Sequence, residues 1–307
     1  MSHPPFALSE EVAAAVRDGD PVVALESTIF STLGLPAPHN AEALRRCTGT
    51  LRRAGVTPAV VAVLDGVWRV GLEPGEEERV LTGERKVAER DLAVAAAQRW
   101  PVGVTTVSAT VALAERAGIA VFATGGIGGV HRGAAGDVSA DLDALAHHPV
   151  ITVCAGAKAF LDLPRTLEYL ETAGVPVLGW RHDDFPAFYV RSSGLPVPHR
   201  VDTAAEVARV LAYRARPATG ALLTVPIPRE HELDAAELTA SMDAALAAAD
   251  TAGVSGAAVT PYVLARLEAE TDGASVPANL ALAENNGAVA AEVAIAVATI
   301  RRQADDP

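Results

Sequence analysis

The 307-residue chain is poor in cysteine, poorer still relative to arginine in lysine, and has no long apolar run. Its two cysteines, Cys47 and Cys154, cannot build a framework of bridges, and Cys154 sits inside the apolar run 150–154. Both are expected to be reduced and packed. Although 50% of the residues are apolar, Gly, Pro or charge interrupts the apolar runs at strand length. None reaches the roughly 18 residues expected of a membrane helix. The start, Met1-Ser-His-Pro-Pro, lacks a basic segment followed by an apolar one, so no export signal is expected. The expected location is the cytoplasm, with no membrane partner.

A basic face is missing too. A formal charge of −13 argues against nucleic acid, because neutralising phosphates along a duplex takes a stripe of cations. A small anionic substrate stays open wherever cations converge locally. No internal repeat of roughly 20–50 residues is visible, and no linker is long enough to divide the chain. Residues 1–307 therefore read as one domain.

The scarcity of lysine is the most informative lack. Of the 25 Lys and Arg residues only Lys86 and Lys158 are lysines. Only an amine can form an imine or titrate near neutrality, whereas Arg serves wherever simple charge is enough. Chance retention on a surface is the competing explanation.

What is present is alternation. Short β-branched runs and Ala-rich helical stretches succeed one another, as in a sheet covered by helices on both faces. The spacing predicts strands over 21–26, 58–64, 67–71, 102–105, 119–123, 150–154, 175–179 and 220–225. It predicts amphipathic helices over 38–54, 89–99, 108–117, 165–173 and 203–215. Asp65-Gly66 ahead of 67–71 predicts a hairpin, so the sheet is expected to be mixed. From residue 233 the strand signal ends and helices are predicted over 234–252, 260–270 and 276–302. The expected class is α/β: a three-layer α/β/α fold with a mixed, mostly parallel sheet and a C-terminal helical segment.

Three stretches offer chemistry. Glu26 ends an apolar strand ahead of Ser27-Thr28, where ligands gather in open α/β sheets. Burial there would raise its pKa and suit it to proton transfer, unless it merely caps the next segment. The loop Thr124-Gly-Gly-Ile-Gly-Gly-Val-His131 follows the strand 119–123. Its glycines permit tight turns that aim N–H groups at an anion, and His131 adds a donor. The spacing is neither a dinucleotide fingerprint nor a Walker A loop, and a plain strand-to-helix turn reads equally well. Lys158 follows a buried strand and the small residues Ala155-Gly-Ala; as a nucleophile its pKa must fall from about 10.4 towards 7–8. Alternatively its stem covers a strand end.

Lesser signals accompany these. Asp137 and Asp141 precede an apolar helix pattern and either cap it or offer oxygens to a hard divalent ion such as Mg²⁺ or Mn²⁺. Lys86 lies in a charged stretch that reads as a solvated helix start. Thr105-Thr106 ahead of 108–117 is a further possible phosphate seat.

Taken together these residues resemble the pseudouridine-5′-phosphate glycosidases, also described as indigoidine-synthase-A-like proteins. The resemblance is carried in order along nearly the whole chain by ALEST (24–28), KVAERDL (86–92), TTVSAT (105–110), FATGGIGGVHRG (122–133), SADL (139–142), VCAGAKAFLDLPRTLEYLET (153–172) and VTPYVLARL (259–267), with Asn279 and the pair 285–286. It implies a mixed α/β/α fold, commonly a homotrimer, that reversibly converts pseudouridine 5′-phosphate and water into uracil and ribose 5-phosphate. By the same resemblance Glu26 is the proton donor and Lys158 the nucleophile. Lys86, Val107 and Ser139-Ala140-Asp141 contact substrate, Thr124 and His131 lie near the phosphate, and Asn279 meets the base. Asp137 would bind one Mn²⁺, or Mg²⁺, per subunit, with Asp141 close to the metal's water shell. Between His131 and Ser139 the chain is shorter than the family's usual form and lacks an aromatic before Asp137.

The chemistry implied is a lysine imine with the ring-opened sugar. Two other readings compete: a lysine-imine aldolase on another sugar phosphate, which would release no uracil, and a non-catalytic accessory protein of a pigment pathway.

Overall fold

The apolar, β-branched runs form the middle of an eleven-stranded sheet in a computed structural model that describes residues 5–132, 137–158, 160–254, 259–271 and 273–305. Its order is Phe6–Leu8, Val67–Val70, Thr57–Leu64, Val22–Leu25, Val121–Ala123, Ile151–Cys154, Ala221–Thr224, Val177–Trp180 and His199–Val201. From Thr57–Leu64 to His199–Val201 every neighbouring pair is parallel. Strands covered on both faces read as unbroken apolar runs, and Val22–Leu25, Ile151–Cys154 and Ala221–Thr224 are buried throughout.

One antiparallel pair is the expected hairpin. Thr57–Leu64 turns through Asp65 (φ 54°) and Gly66 (φ 79°) into Val67–Val70, the paired positive φ values of a tight two-residue turn. Thr57–Leu64 also changes neighbour halfway: Val22–Leu25 pairs with its first half, Leu25 facing Val60, and Val102–Thr105 takes over antiparallel from Ala62. The chain leaves the sheet after Leu25 at this exchange, which is where Glu26 stands.

Helices cover both faces. Ser275–Asp305 packs on His39–Arg53, Ala204–Tyr213 and the strands Val22–Leu25, Val121–Ala123 and Ile151–Cys154. Val107–Arg116, which meets Ala140–His147, covers Val22–Leu25 and Val121–Ala123 from the other side. The fold is thus the mixed, mostly parallel three-layer α/β/α arrangement expected, with C-terminal helices Ala235–Thr251, Val259–Glu270 and Ser275–Asp305. By length and composition the segment 275–304, of mean hydropathy 1.3, is apolar enough to cross a membrane, but 67% of its apolar window is buried in the fold. It is apolar because it is a core helix, packed against three strands and several helices.

The structure adds elements that periodicity did not indicate. Glu10–Asp18 is a helix, opened by Ser9 and closed by Gly19 at φ 71°. Phe6–Leu8 and His199–Val201 are edge strands of three residues each, too short to show alternation. The predicted helix 89–99 is instead a 3₁₀ turn, Glu89–Asp91, followed by Leu92–Ala97. There the Asp91 carboxylate accepts from the Ala88 N–H at 3.0 Å and tightens the entry. Cys47 and Cys154 are buried free thiols, each pushed up to about 12 by burial.

Candidate active site

Glu26 is 8% exposed. Its neighbours Ser27 and Thr28 stitch the departing chain to the end of Val102–Thr105. The Thr105 N–H donates to Ser27 Oγ at 2.8 Å, and Thr28 Oγ1 donates to the Thr105 carbonyl at 2.8 Å. With those residues so engaged, the Glu26 carboxylate turns to the adjacent strand end and accepts from Thr124 Oγ1. Among the described residues it is this contact, not a helix cap, that holds it.

The strands Val121–Ala123 and Ile151–Cys154 continue side by side into their loops. The Ile127 N–H donates to the Gly156 carbonyl and the Lys158 N–H to the Ile127 carbonyl, each at 3.1 Å. That extension carries Lys158 alongside the glycine loop, where Nζ donates to the Gly126 carbonyl at 3.0 Å. Gly156 is required here: it has φ +82°, and a Cβ would lie 2.1 Å from the Pro186 carbonyl oxygen.

Asp141 acts across elements rather than on its own helix. Ser139 caps Ala140–His147 by accepting from the Asp141 N–H at 3.2 Å. The Asp141 carboxylate instead accepts from the Ser108 N–H at 3.1 Å and the Gly128 N–H at 2.9 Å. One carboxylate therefore joins the start of Val107–Arg116 to the glycine loop, a favourable place for negative charge. Gly128 leaves it room, since a Cβ there would lie 2.3 Å from Ser139 Oγ and 2.9 Å from Asp141 Oδ2.

Lys86 is not on a solvated helix. It forms the short strand Lys86–Val87, parallel to Val102–Thr105, and is half-buried. Burial pulls its amine down to about 8, the Lys158 charge adds to this, and Glu26 and Asp141 oppose it. Burial likewise raises Glu26 to about 7, with Asp141 adding to the rise. Lys158, the Thr124 hydroxyl and Lys86 work against it. A carboxyl and an amine titrating near neutrality in one place mark a candidate site.

Glu26, Lys86 and Lys158 all open onto a cavity of about 280 Å³ at the carboxyl ends of the strands. Val107, His131, Asp137, Ser139, Ala140, Asp141 and Asn279 line it too. Thr124 and Thr105, both singled out in the sequence, are not on its wall: the Thr124 hydroxyl donates to Glu26 instead, and Thr105 is taken up by Ser27 and Thr28, leaving only Thr106 of that pair on the cavity. Among the described residues Asn279 Oδ1 is buried without a hydrogen-bond partner. The cavity wall also holds Phe188, which no sequence signal indicated. It sits in an irregular loop with φ 62°, held by its N–H donating to the Ala155 carbonyl at 3.0 Å.

Asp137 Oδ2 lies 3.9 Å from His131 Nε2 and its side chain is 47% exposed. Among the described residues no three metal-binding side chains converge. A divalent ion at Asp137 fits only as one carboxylate with water completing the shell, a mode hard cations use. The shortened loop before Asp137 includes 133–136, outside the described residues.

Known proteins match nearly the whole chain. The family model for indigoidine synthase A like proteins matches residues 11–296. The chain is 50% identical over 298 residues to a pseudouridine-5′-phosphate glycosidase of Myxococcus xanthus, covering 94% of this chain and 97% of the relative. It is 48% identical over 301 residues to one of Sorangium cellulosum, covering 96% and 94%. Among solved structures it resembles the prealnumycin C-glycosynthase AlnA in complex with ribulose 5-phosphate, with TM-score 0.89, 36% identity, and 98% and 100% of the two chains covered. An indigoidine synthase A-like protein of Thermotoga maritima gives TM-score 0.86 at 33% identity, covering 97% and 98%.

Proposed function

Because the chain belongs to the indigoidine synthase A-like family, whose curated relatives include pseudouridine-5′-phosphate glycosidases, we propose that it reversibly cleaves pseudouridine 5′-phosphate to uracil and ribose 5-phosphate. The observation that carries this reading is the convergence of a near-neutral carboxyl, Glu26, with both lysines of the chain on one cavity. A C-glycosynthase among the structural neighbours supports carbon–carbon chemistry on a pentose phosphate.

Ordinary glycosidases protonate a departing oxygen or nitrogen between two carboxylates. Here the leaving atom is carbon, so the ring opens instead. Glu26 gives its proton to the ring oxygen, and C1′, conjugated to the uracil, becomes electrophilic. The Lys158 amine adds to C1′; the bond to uracil breaks with protonation of the base carbon, and an iminium remains. Water then releases ribose 5-phosphate and restores the amine. A pKa of about 7 keeps Glu26 partly protonated at neutral pH, as a general acid requires.

The remaining wall binds and orients. Lys86, Val107, Ser139, Ala140 and Asp141 contact the sugar phosphate, and His131 lies near the phosphate. Asn279, on the same wall, meets the base. Asp137 would hold the Mn²⁺, or Mg²⁺, which would supply positive charge to the substrate phosphate. A homotrimeric, cytoplasmic enzyme is inferred from the family resemblance and the buried free thiols; a monomer mass by light scattering would refute the assembly.

Uracil release from pseudouridine 5′-phosphate, followed by absorbance, tests the reading directly. Absence of uracil, together with no C-nucleotide formed from uracil and ribose 5-phosphate, overturns it. Within it, Gly128→Ala should displace Asp141 and lower kcat/KM by about 10²-fold, as misplacements near 1 Å do. Wild-type kinetics in that variant would remove Asp141 from the binding wall.

A further inference from the structure

The helix Ser275–Asp305 carries two amides seven residues apart, Asn279 and Asn286, which helical periodicity puts on one face. Asn279 lines the cavity. Asn286 does not, and no role in the reaction described above falls to it. It is 0% exposed, and Nδ2 donates to the Thr124 carbonyl at 2.8 Å and the Gly125 carbonyl at 3.2 Å. Those carbonyls mark the bend where the strand Val121–Ala123 becomes the glycine loop. The Gly125 carbonyl has a second donor, the Ala155 N–H at 2.9 Å.

Among the described residues Asn286 Oδ1 is buried without a hydrogen-bond partner. An orphaned amide oxygen costs roughly 1–3 kcal/mol, so this amide is a poor choice for packing alone. What it contributes is a pair of donors at one peptide bend. Thr124, whose carbonyl it holds, is also the residue whose hydroxyl donates to Glu26.

We propose that Asn286 is a positioning residue for Glu26, setting the Thr124 hydroxyl, and through it the carboxyl that donates the proton, by clamping the bend at Thr124-Gly125. The inference rests on the proton-donor role given to Glu26 above. The charged groups acting on Glu26 are Lys158, Lys86 and Asp141; none is on the C-terminal helix, so Asn286 acts through the bend rather than by charge. Because the Thr124 hydroxyl favours the ionised carboxylate, loosening it moves the Glu26 titration to higher pH.

The test is an infrared titration of the Glu26 carboxyl, identified by its loss in Glu26→Gln. It is run on wild type, Asn286→Ala, Asn286→Asp, Thr124→Val and the Asn286→Ala/Thr124→Val double variant. Asn286→Asp preserves volume and replaces the donors by an acceptor. Asn286→Ala and Thr124→Val should each raise the midpoint. The double variant should move it no further than Thr124→Val alone, as expected of residues acting in series. In uracil release, Asn286→Ala should lower kcat roughly 10- to 100-fold with KM within about threefold, the pattern of a lost transition-state contribution.

An unmoved midpoint in the Asn286 variants, additive shifts in the double variant, or failure of both Asn286 variants to fold would each overturn the proposal. The infrared arm needs no turnover. A wild type that releases no uracil therefore counts against the glycosidase reading, while the titration still judges Asn286.

Discussion

Lys158→Arg is expected to release uracil from pseudouridine 5′-phosphate at least about 10⁴-fold more slowly than wild type, as removal of a covalent nucleophile does. Arginine keeps the positive charge and much of the reach, so binding of the substrate phosphate should survive. It cannot become a neutral amine and form an imine. The scaffold supports this separation, since Lys158 is delivered by backbone pairing of the two loops and its Nζ donates to the Gly126 carbonyl. Borohydride added during turnover should fix a ribose phosphate mass on Lys158 of the wild type and nothing on the variant. Wild-type rates in Lys158→Arg, with no adduct at Lys158, would remove the imine from the mechanism.

Glu26→Gln should lower kcat by about 10²- to 10⁴-fold, the range for a positioned general acid, and leave KM nearly unchanged. The same substitution should make the protein more stable above neutrality. Burial raises the Glu26 pKa from 4.5 to about 7, so between those values the folded chain holds a proton the unfolded chain has lost. The stability this proton supplies is complete below about pH 4.5 and is lost as pH rises through about 7. Glutamine stays neutral, so the variant should gain about 1–3 kcal/mol over wild type at pH 8 and little near pH 4. Denaturant melts at the two pH values read this directly. Equal stability at pH 8 would mean that Glu26 is not a buried acid. A catalytic group held in this way trades stability for a usable proton.

Much of this was legible before the fold. The strand over 150–154 was plain because it is apolar and β-branched without interruption, which only a strand covered on both faces requires. The hairpin at Asp65-Gly66 was plain because its turn demands positive φ at both residues. Lys158 and Glu26 stood out as a rare amine and a carboxylate at strand ends. By contrast, Lys86 read as part of a solvated helix start: the short strand that half-buries it exists only because Val102–Thr105 lies beside it. Asp141 read as a cap, since the competing cap, Ser139, and its true partners, the Ser108 and Gly128 N–H groups, differ only in three dimensions. Phe188 gave no signal because its place depends on a loop held from Ala155.

The sequence by itself determined the central strands, the longer helices and which side chains can do chemistry, because hydrophobic period, turn residues and the scarcity of lysine are local properties. Tertiary structure alone decided what each group became. Burial and neighbouring charge bring Glu26 to about 7 and Lys86 to about 8. An amide 162 positions from Thr124 secures the bend beside the acid. Desolvation and hydrogen bonding depend on distances between residues far apart in the chain, and those distances exist only once the sheet has brought its strand ends together.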